Sequence, residues 1–200
     1  MTAHNDTIMW LFMVLLITTT FHTRNNAYRG LVPIVSRLDN QTYYVNDLEG
    51  KQECADILAK IRANITYVIQ EMDRNEQLKH IKLYIDRMTS RFPYTELHEN
   101  NKLKPDPTLT SYNVNKGEII VFCMRKPNDL TQIYDIELLT YISLHEVAHI
   151  ACPEPGHGPL FVSLFQDILD TALKCNVITK SDYKTNPQGY CGMTLNEHLV

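Results

Sequence analysis

The chain has no cysteine pair at CxxC spacing, no excess of basic residues, no low-complexity tract and no internal repeat. Each absence removes a class of protein. Its five cysteines, Cys54, Cys123, Cys152, Cys175 and Cys191, are odd in number and widely spaced, which argues against both a disulfide scaffold and a cysteine zinc site. Cys123, in an apolar strand, and Cys175, near a helix end, read as buried small hydrophobes. Cys191 lies in a Tyr-Cys-Gly turn that could close over a site, with Cys152 or Cys175 as candidate disulfide partners. The 19 Lys and Arg against 23 Asp and Glu give a formal net charge of −4, so there is no basic footprint for nucleic acid and direct nucleic-acid binding is not expected. With 44% hydrophobic and 21% charged residues, the 200-residue chain reads as one ordinary globular domain plus an appendage.

The appendage is Thr7 to Phe21. Seventeen residues without Asp, Glu, Lys or Arg separate Asp6 from Arg24, the short limit for a membrane-spanning helix. A cleavable signal would have a basic start and a small-x-small site, and neither is found. A buried core helix is the other alternative, but the run is apolar on every face. The segment is therefore expected to be an uncleaved N-terminal membrane anchor over residues 1–23. Arg24, Arg29 and Arg37 follow it and no basic residue precedes it, so the positive-inside rule places the remainder on the cytoplasmic side. Two glycosylation sequons, at Asn40 and Asn64, would matter only in a lumenal protein.

What is present is more specific. His145-Glu146-Val147-Ala148-His149 places two imidazoles one helical turn apart on one face, with a carboxylate beside them. A shuffled chain of this composition would contain that pattern with an expectation of about 0.02. The apolar flanks Leu138, Leu139, Ile142, Leu144, Val147 and Ile150 predict a buried helix, which Cys152-Pro153-Glu154-Pro155-Gly156 stops abruptly. Two such histidines with a third ligand leave one corner of a tetrahedral zinc for water, whose pKa falls to about 7 in such sites. Glu146 is then placed to act as general base.

The third ligand has several candidates. One zinc-protease pattern needs glycine three residues after His149 and histidine three further on, but Cys152 and Pro155 occupy those places. A carboxylate from the next helix would have to be Asp167 or Asp170. Glu154 would need a sharply folded loop, and Cys152 is a weaker candidate than any of these. His157 follows a Gly-containing turn that can bring it round to the metal and is the expected third ligand. Phe161, one turn later, reads as a core anchor.

The segment Asn115 to Arg125, followed by HEVAH and His157-Gly158-Pro159-Leu160-Phe161, resembles the WLM and SprT-like zinc metallopeptidases, nearest the small WLM-like proteases of large DNA viruses. The likeness runs from Asn113 to Met193 and includes Tyr190-Cys191-Gly192-Met193. It implies a strand, an HExxH helix and a His-x-x-x-Phe segment supplying the third zinc ligand. Cellular members of that group act on proteins crosslinked to DNA, but no basic tail or recognition module follows the catalytic segment here.

The fold class expected is α+β, a small HExxH metallopeptidase core with a few-stranded sheet packed on the active-site helix and flanking helices. Residues 24–47 read as linker and short strands, and residues 48–200 as the metallopeptidase domain. Helices are predicted over Leu48–Met72, where Ile57, Ile61, Ile65, Val68 and Met72 recur at helical spacing, then near Leu78–Arg91, Ile133–Ile150 and Pro159–Cys175. Asn100–Tyr112 reads as a loop or edge hairpin, and Glu118–Met124 as a strand bordering the cleft, its edge near Ile119–Phe122 free to pair with a substrate. Tyr183 and Tyr190 are candidate oxyanion donors. The function expected is a membrane-tethered, zinc-dependent endopeptidase acting on protein or peptide substrates. The alternative is a zinc-stabilised structural or binding protein without turnover.

Overall fold

Two runs rich in β-branched and aromatic residues open the described part of the chain, β1 (Leu31–Val35) and β2 (Thr42–Asn46). A computed structural model of the protein describes residues 27–101, 110–180, 183, 185 and 187–195. The expected anchor at Thr7–Phe21 lies outside the described residues, and among these no helix is long and apolar enough to cross a membrane.

Gly50, left-handed at φ 77°, leads into α1 (Lys51–Arg74), whose predicted apolar stripe Ile57, Ile61, Ile65, Val68 and Met72 is buried throughout. The helix expected next from Leu78 is divided. Asn75 accepts the Gln77 N–H with its side chain at 3.0 Å, which favours a 3₁₀ segment over Glu76–Ile81 before α2 (Lys82–Arg91) begins. There follow β3 (Glu96–Glu99), β4 (Tyr112–Val114), β5 (Ile119–Phe122) and a small hairpin of β6 (Arg125–Lys126) and β7 (Asp129–Ile133). Then come α3 (Ile136–Ala151), α4 (Pro159–Lys174) and a hairpin of β8 (Gln188–Tyr190) and β9 (Met193–Leu195).

Five strands make one mixed sheet in the order β1-β2-β3-β5-β4, parallel at β2–β3 and β3–β5 and antiparallel at its two outer pairs. Residues 31–46, read from the sequence as linker and short strands, are thus strands of the same sheet as β3, β4 and β5. The side chains of β5 alternate between two cores. Ile120 and Phe122 join the main core beneath the helices, while Ile119 and Val121 pack with Ala27 and Val114 on the opposite face.

This corrects the expectation that Ile119–Phe122 is an edge. The strand is paired on both sides and buried on both faces, and the edge strands are β1 and β4. A second correction concerns the start of α3. Ile133 ends β7, and the helix begins only after Asp135, whose Oδ1 accepts the Glu137 N–H at 2.8 Å as an N-cap. Twelve of the sixteen residues of α3 are buried, because α1, α2 and α4 all pack against it.

A buried ion pair joins the pieces. Arg125 Nε donates to Glu99 Oε1 at 2.8 Å, and neither side chain is solvent-exposed. Arg125 Nη1 donates to the carbonyls of Glu49 and Leu130, each at 2.7 Å, and Glu99 Oε2 accepts the Asn46 N–H at 2.8 Å. One pair of side chains thereby ties β2, β3, the β6–β7 hairpin and the entry to α1. Removing one member leaves an uncompensated charge in the core. Glu99→Ala is therefore expected to destabilise the fold by about 3–5 kcal/mol, measured as a shift in urea midpoint.

Candidate metal centre

The two histidines of α3 sit on one face because four residues make slightly more than one turn. Their ring centroids are 5.0 Å apart. The helix ends at Cys152, whose N–H donates to the Ala148 carbonyl at 2.8 Å. Pro153 and Pro155 forbid further helix, and Gly156 turns the chain at φ 73°. Gly158 then caps α4 with Pro159 at its first position. This reversal delivers His157 to the face it left: its Nε2 lies 3.1 Å from the Nε2 of both His145 and His149.

Tetrahedral nitrogen ligands about 2.0 to 2.1 Å from a zinc stand about 3.3 Å apart, so this spacing fits one metal ion. The chemistry agrees. Burial first, then repulsion from His149 and His157, holds the His145 pKa down at about 3. Burial, then His157 and Lys116, holds His149 at about 4. Two neutral imidazoles are thus ready as ligands, and nitrogens that face one another this closely are stabilised by a cation among them. Among the described residues these three histidines are the group whose ligand atoms converge, all within 4.8 Å of one another. Cys152, Glu154, Asp167 and Asp170 do not belong to it.

Phe161 does more than anchor the core. It is buried, and its ring centroid lies 5.0, 4.4 and 4.7 Å from the rings of His145, His149 and His157, backing all three. Glu146 is also buried, and burial raises its pKa to about 8. A cation held by the neighbouring imidazoles would favour its ionised form.

Two residues that sequence reasoning did not single out fix these elements together. Asn113 of β4 donates its Nδ2 to the Glu146 carbonyl at 3.0 Å and accepts the Gly117 N–H at 2.7 Å. Lys116 donates Nζ to the carbonyls of Cys152 at 3.1 Å and Glu154 at 2.8 Å, pinning the loop that carries His157. Gly117, at φ 107°, allows this approach, since a Cβ there would come within 2.9 Å of Ile150. The available signal for Asn113 was a polar residue between Tyr112 and Val114 in a strand.

These groups line a cleft of about 960 Å³ bordered by β4, α3, α4 and the C-terminal hairpin. Tyr183 and Tyr190 both line it. The Tyr190 hydroxyl hydrogen-bonds Ser111 Oγ at 2.6 Å, and its ring lies 5.1 Å from that of Tyr134. The neighbouring residue corrects the cysteine reading: Cys191 is bonded to Cys123, rather than to Cys152 or Cys175. The C-terminal hairpin folds against the end of β5, where both sulfurs lie near the Arg125 carbonyl, so Cys123 and not a cysteine of the helices meets it.

No protein-family model matches the chain. The chain belongs to the same family as the uncharacterized protein R325 of Acanthamoeba polyphaga mimivirus, to which it is 34% identical over 168 residues, covering 84% of this chain and 83% of that one. It is 31% identical over 90 residues to the uncharacterized protein 136R of Invertebrate iridescent virus 6, covering 45% of this chain and 48% of the relative. It is 36% identical over 81 residues to the uncharacterized protein 042R of Invertebrate iridescent virus 3, covering 40% and 50%. The chain thus spans about half the length of these two proteins. In structure it is similar to the crystal structure of Wss1 from Saccharomyces cerevisiae, with a TM-score of 0.49 and 18% identity over 67% of this chain and 90% of that one.

Two outcomes follow from the site. Zinc added to metal-free protein is expected to raise its melting temperature, and His157→Ala is expected to lower zinc affinity by about tenfold or more, read by calorimetry and metal analysis. Unchanged zinc content in that variant would move the third ligand elsewhere. Separately, the Cys123–Cys191 bond closes a loop with a sequence separation of 68. Cys191→Ser should cost about 4 kcal/mol in the chain-entropy account, measured by chemical denaturation without reductant.

Proposed function

We propose that this chain is a zinc-dependent endopeptidase of the WLM-like kind, with His145, His149 and His157 as the metal ligands and Glu146 as general base. The apolar run at residues 7–21 would hold it to a membrane; the basic residues after that run favour a cytoplasmic catalytic part, and the Cys123–Cys191 bond weighs against it. The observation that carries the catalytic reading is the convergence of three imidazole nitrogens on the floor of a cleft, with a buried carboxylate from the same helix turn beside them. The HEVAH and HGPLF segments that resemble WLM-like proteases are the same residues.

A zinc ion held there supplies Lewis acidity and lowers the pKa of water. The protein's own groups do the rest. Glu146, held through its backbone by Asn113, accepts a proton from the attacking water and returns it to the leaving amine. Burial alone favours its protonated form, and a cation held by the neighbouring imidazoles would favour the carboxylate that this step needs. β4, one of the two edge strands of the sheet, lines the same cleft, so a substrate could add there as an extended strand. Tyr183 and Tyr190 line the cleft as candidate donors to the oxyanion.

A purely structural three-histidine site has no use for a base at its side, and Glu146→Gln separates the two readings. The substitution preserves shape and is expected to leave zinc binding intact while reducing peptide cleavage by about 10²–10⁴-fold, followed by mass spectrometry of a peptide digest. Cleavage that survives it at the original rate would remove Glu146 from the mechanism. Absence of cleavage in the zinc-loaded parent protein would favour the structural role.

A further inference from the structure

Two Asn-x-Thr sequons lie outside the cleft, and the fold treats them differently. Asn40-Gln41-Thr42 sits where the chain turns from β1 into β2, with Asn40 and Thr42 both exposed. Asn40 takes the left-handed conformation at φ 58°, which asparagine tolerates better than most residues. The turn closes through other groups. Ser36 N–H donates to the Gln41 carbonyl at 2.9 Å, Asn40 N–H to the Ser36 carbonyl at 3.1 Å, and Gln41 N–H to Asp39 Oδ1 at 3.0 Å. None of these bonds uses the Asn40 side chain. Asn64-Ile65-Thr66 lies within α1, where Asn64 Nδ2 donates to Thr140 Oγ1 of α3 at 3.4 Å and Thr66 Oγ1 donates to the Arg62 carbonyl at 2.8 Å. Ile65 between them is buried. A sugar on Asn64 would part α1 from α3.

The cysteines point to the same compartment independently. Cys123 and Cys191 are bonded to each other and buried, Cys54 and Cys152 are buried, and Cys175 is half-buried, so no cysteine of the chain is exposed. A buried bond of this kind forms and persists where the surroundings are oxidising, and the lumen in which sequons acquire glycans is such a place. The arginines that follow the apolar run pull the other way. Their bias is read over short loops, however, and long domains cross a membrane largely regardless of charge. The position of the turn also suits a glycan. β1 is the sheet edge opposite β4, and no residue of 31–46 lines the cleft, so a sugar there leaves the histidines open. Val35 and Leu38, in the same hairpin, are 56% and 55% exposed, and a glycan beside them would cover apolar surface next to an edge strand.

We infer that Asn40 is an N-glycosylation site and that the domain bearing the histidine cluster lies on the lumenal side of the membrane. The inference uses the apolar run at residues 7–21 for entry and does not depend on the endopeptidase reading. The donor is an oligosaccharide carried on a polyprenyl diphosphate. Asn40 Nδ2 attacks the anomeric carbon of its first sugar, a C–N bond forms as the C–O bond to the diphosphate breaks, and the amide gives up one proton. The polyprenyl diphosphate leaves with the electron pair. Residues 22–40 span about 60 Å when extended, so the acceptor turn clears a membrane that holds residues 7–21.

The test translates the full-length chain in the presence of microsomes from the endoplasmic reticulum, with a secreted glycoprotein as control in the same reaction. Parent, Asn40→Gln and Asn64→Gln are compared before and after a peptide N-glycosidase, and protease is added outside the vesicles in a second arm. The parent is expected to gain the mass of one glycan, to lose it to the glycosidase with conversion of residue 40 to aspartate, and to survive the protease. Asn40→Gln should remove that gain, and Asn64→Gln should leave it unchanged. A domain that is protected from protease but unmodified overturns the glycan and leaves the lumenal placement. A glycan on Asn64 instead overturns the choice of site. An unmodified domain that the protease destroys overturns both halves of the inference. Each of these failures leaves the peptidase reading standing, because zinc binding and cleavage are measured without reference to residue 40.

Discussion

Three imidazole nitrogens that face one another at hydrogen-bond distance have to be held there, and much of this structure is what holds them. Two arrive without effort, since the pitch of α3 sets their spacing. The third arrives by a sharp reversal of the chain that helix propensity alone would not produce. Cys152 ends the helix, two prolines bar its continuation, Gly156 adopts a left-handed turn, and Lys116 fastens the loop to the β4–β5 turn. Phe161 then packs its ring against all three.

The constraint reaches outward from there. α3 can present histidines to a cleft only if it is immobile, and its remaining faces are sealed by α1, α2 and α4. Its position relative to the sheet is set by polar contacts of backbone with side chain, above all Asn113 on the Glu146 carbonyl. Those contacts need β4 to be where it is, which in turn needs β5 between β4 and β3. The buried Glu99–Arg125 pair locks that sheet to the start of α1 and the β6–β7 hairpin. A charge pair without exposure contributes little net stability against an apolar replacement, so its value here is geometric: it admits one arrangement of four segments.

Much of this was legible in the sequence because it depends on local periodicity. The stripe from Ile57 to Met72 marked α1, and the apolar flanks of HEVAH marked α3 as buried. The step from Gly156 to His157 indicated how a third imidazole could return. What was not legible depends on pairing between distant segments. Ile119–Phe122 was read as an edge, although four consecutive apolar residues are the mark of a strand covered on both faces. Cys123 was read as a lone hydrophobe, because nothing local indicates that residue 191 folds back to it. Glu99 and Arg125 lie 26 residues apart and look like ordinary surface charges until β3 and β5 pair. Apolar periodicity alone starts α3 at Ile133, three residues early, because the cap at Asp135 is a single polar residue within the apolar pattern.

The place of β4 at a sheet edge decides which strand borders the cleft. With β5 at the edge, a substrate strand would lie against a wall of Ile and Val and have no defined relation to the histidines. With β4 there, the edge strand that lines the cleft is the same strand whose Asn113 holds the Glu146 turn. One strand thus both borders the cleft and fixes the Glu146 turn, so on the proposed reading a peptide paired with β4 would be placed relative to that carboxylate. The asymmetry of the cleft follows from the same arrangement. The β4–β5 turn puts Lys116 at the end of α3 where the helix carbonyls are unsatisfied and a cation is favourable, and leaves the opposite end to be closed by the rings of Tyr141, Phe165 and Tyr183. A polar end and an aromatic end on either side of one histidine cluster thus follow from where this helix ends and what packs against its start.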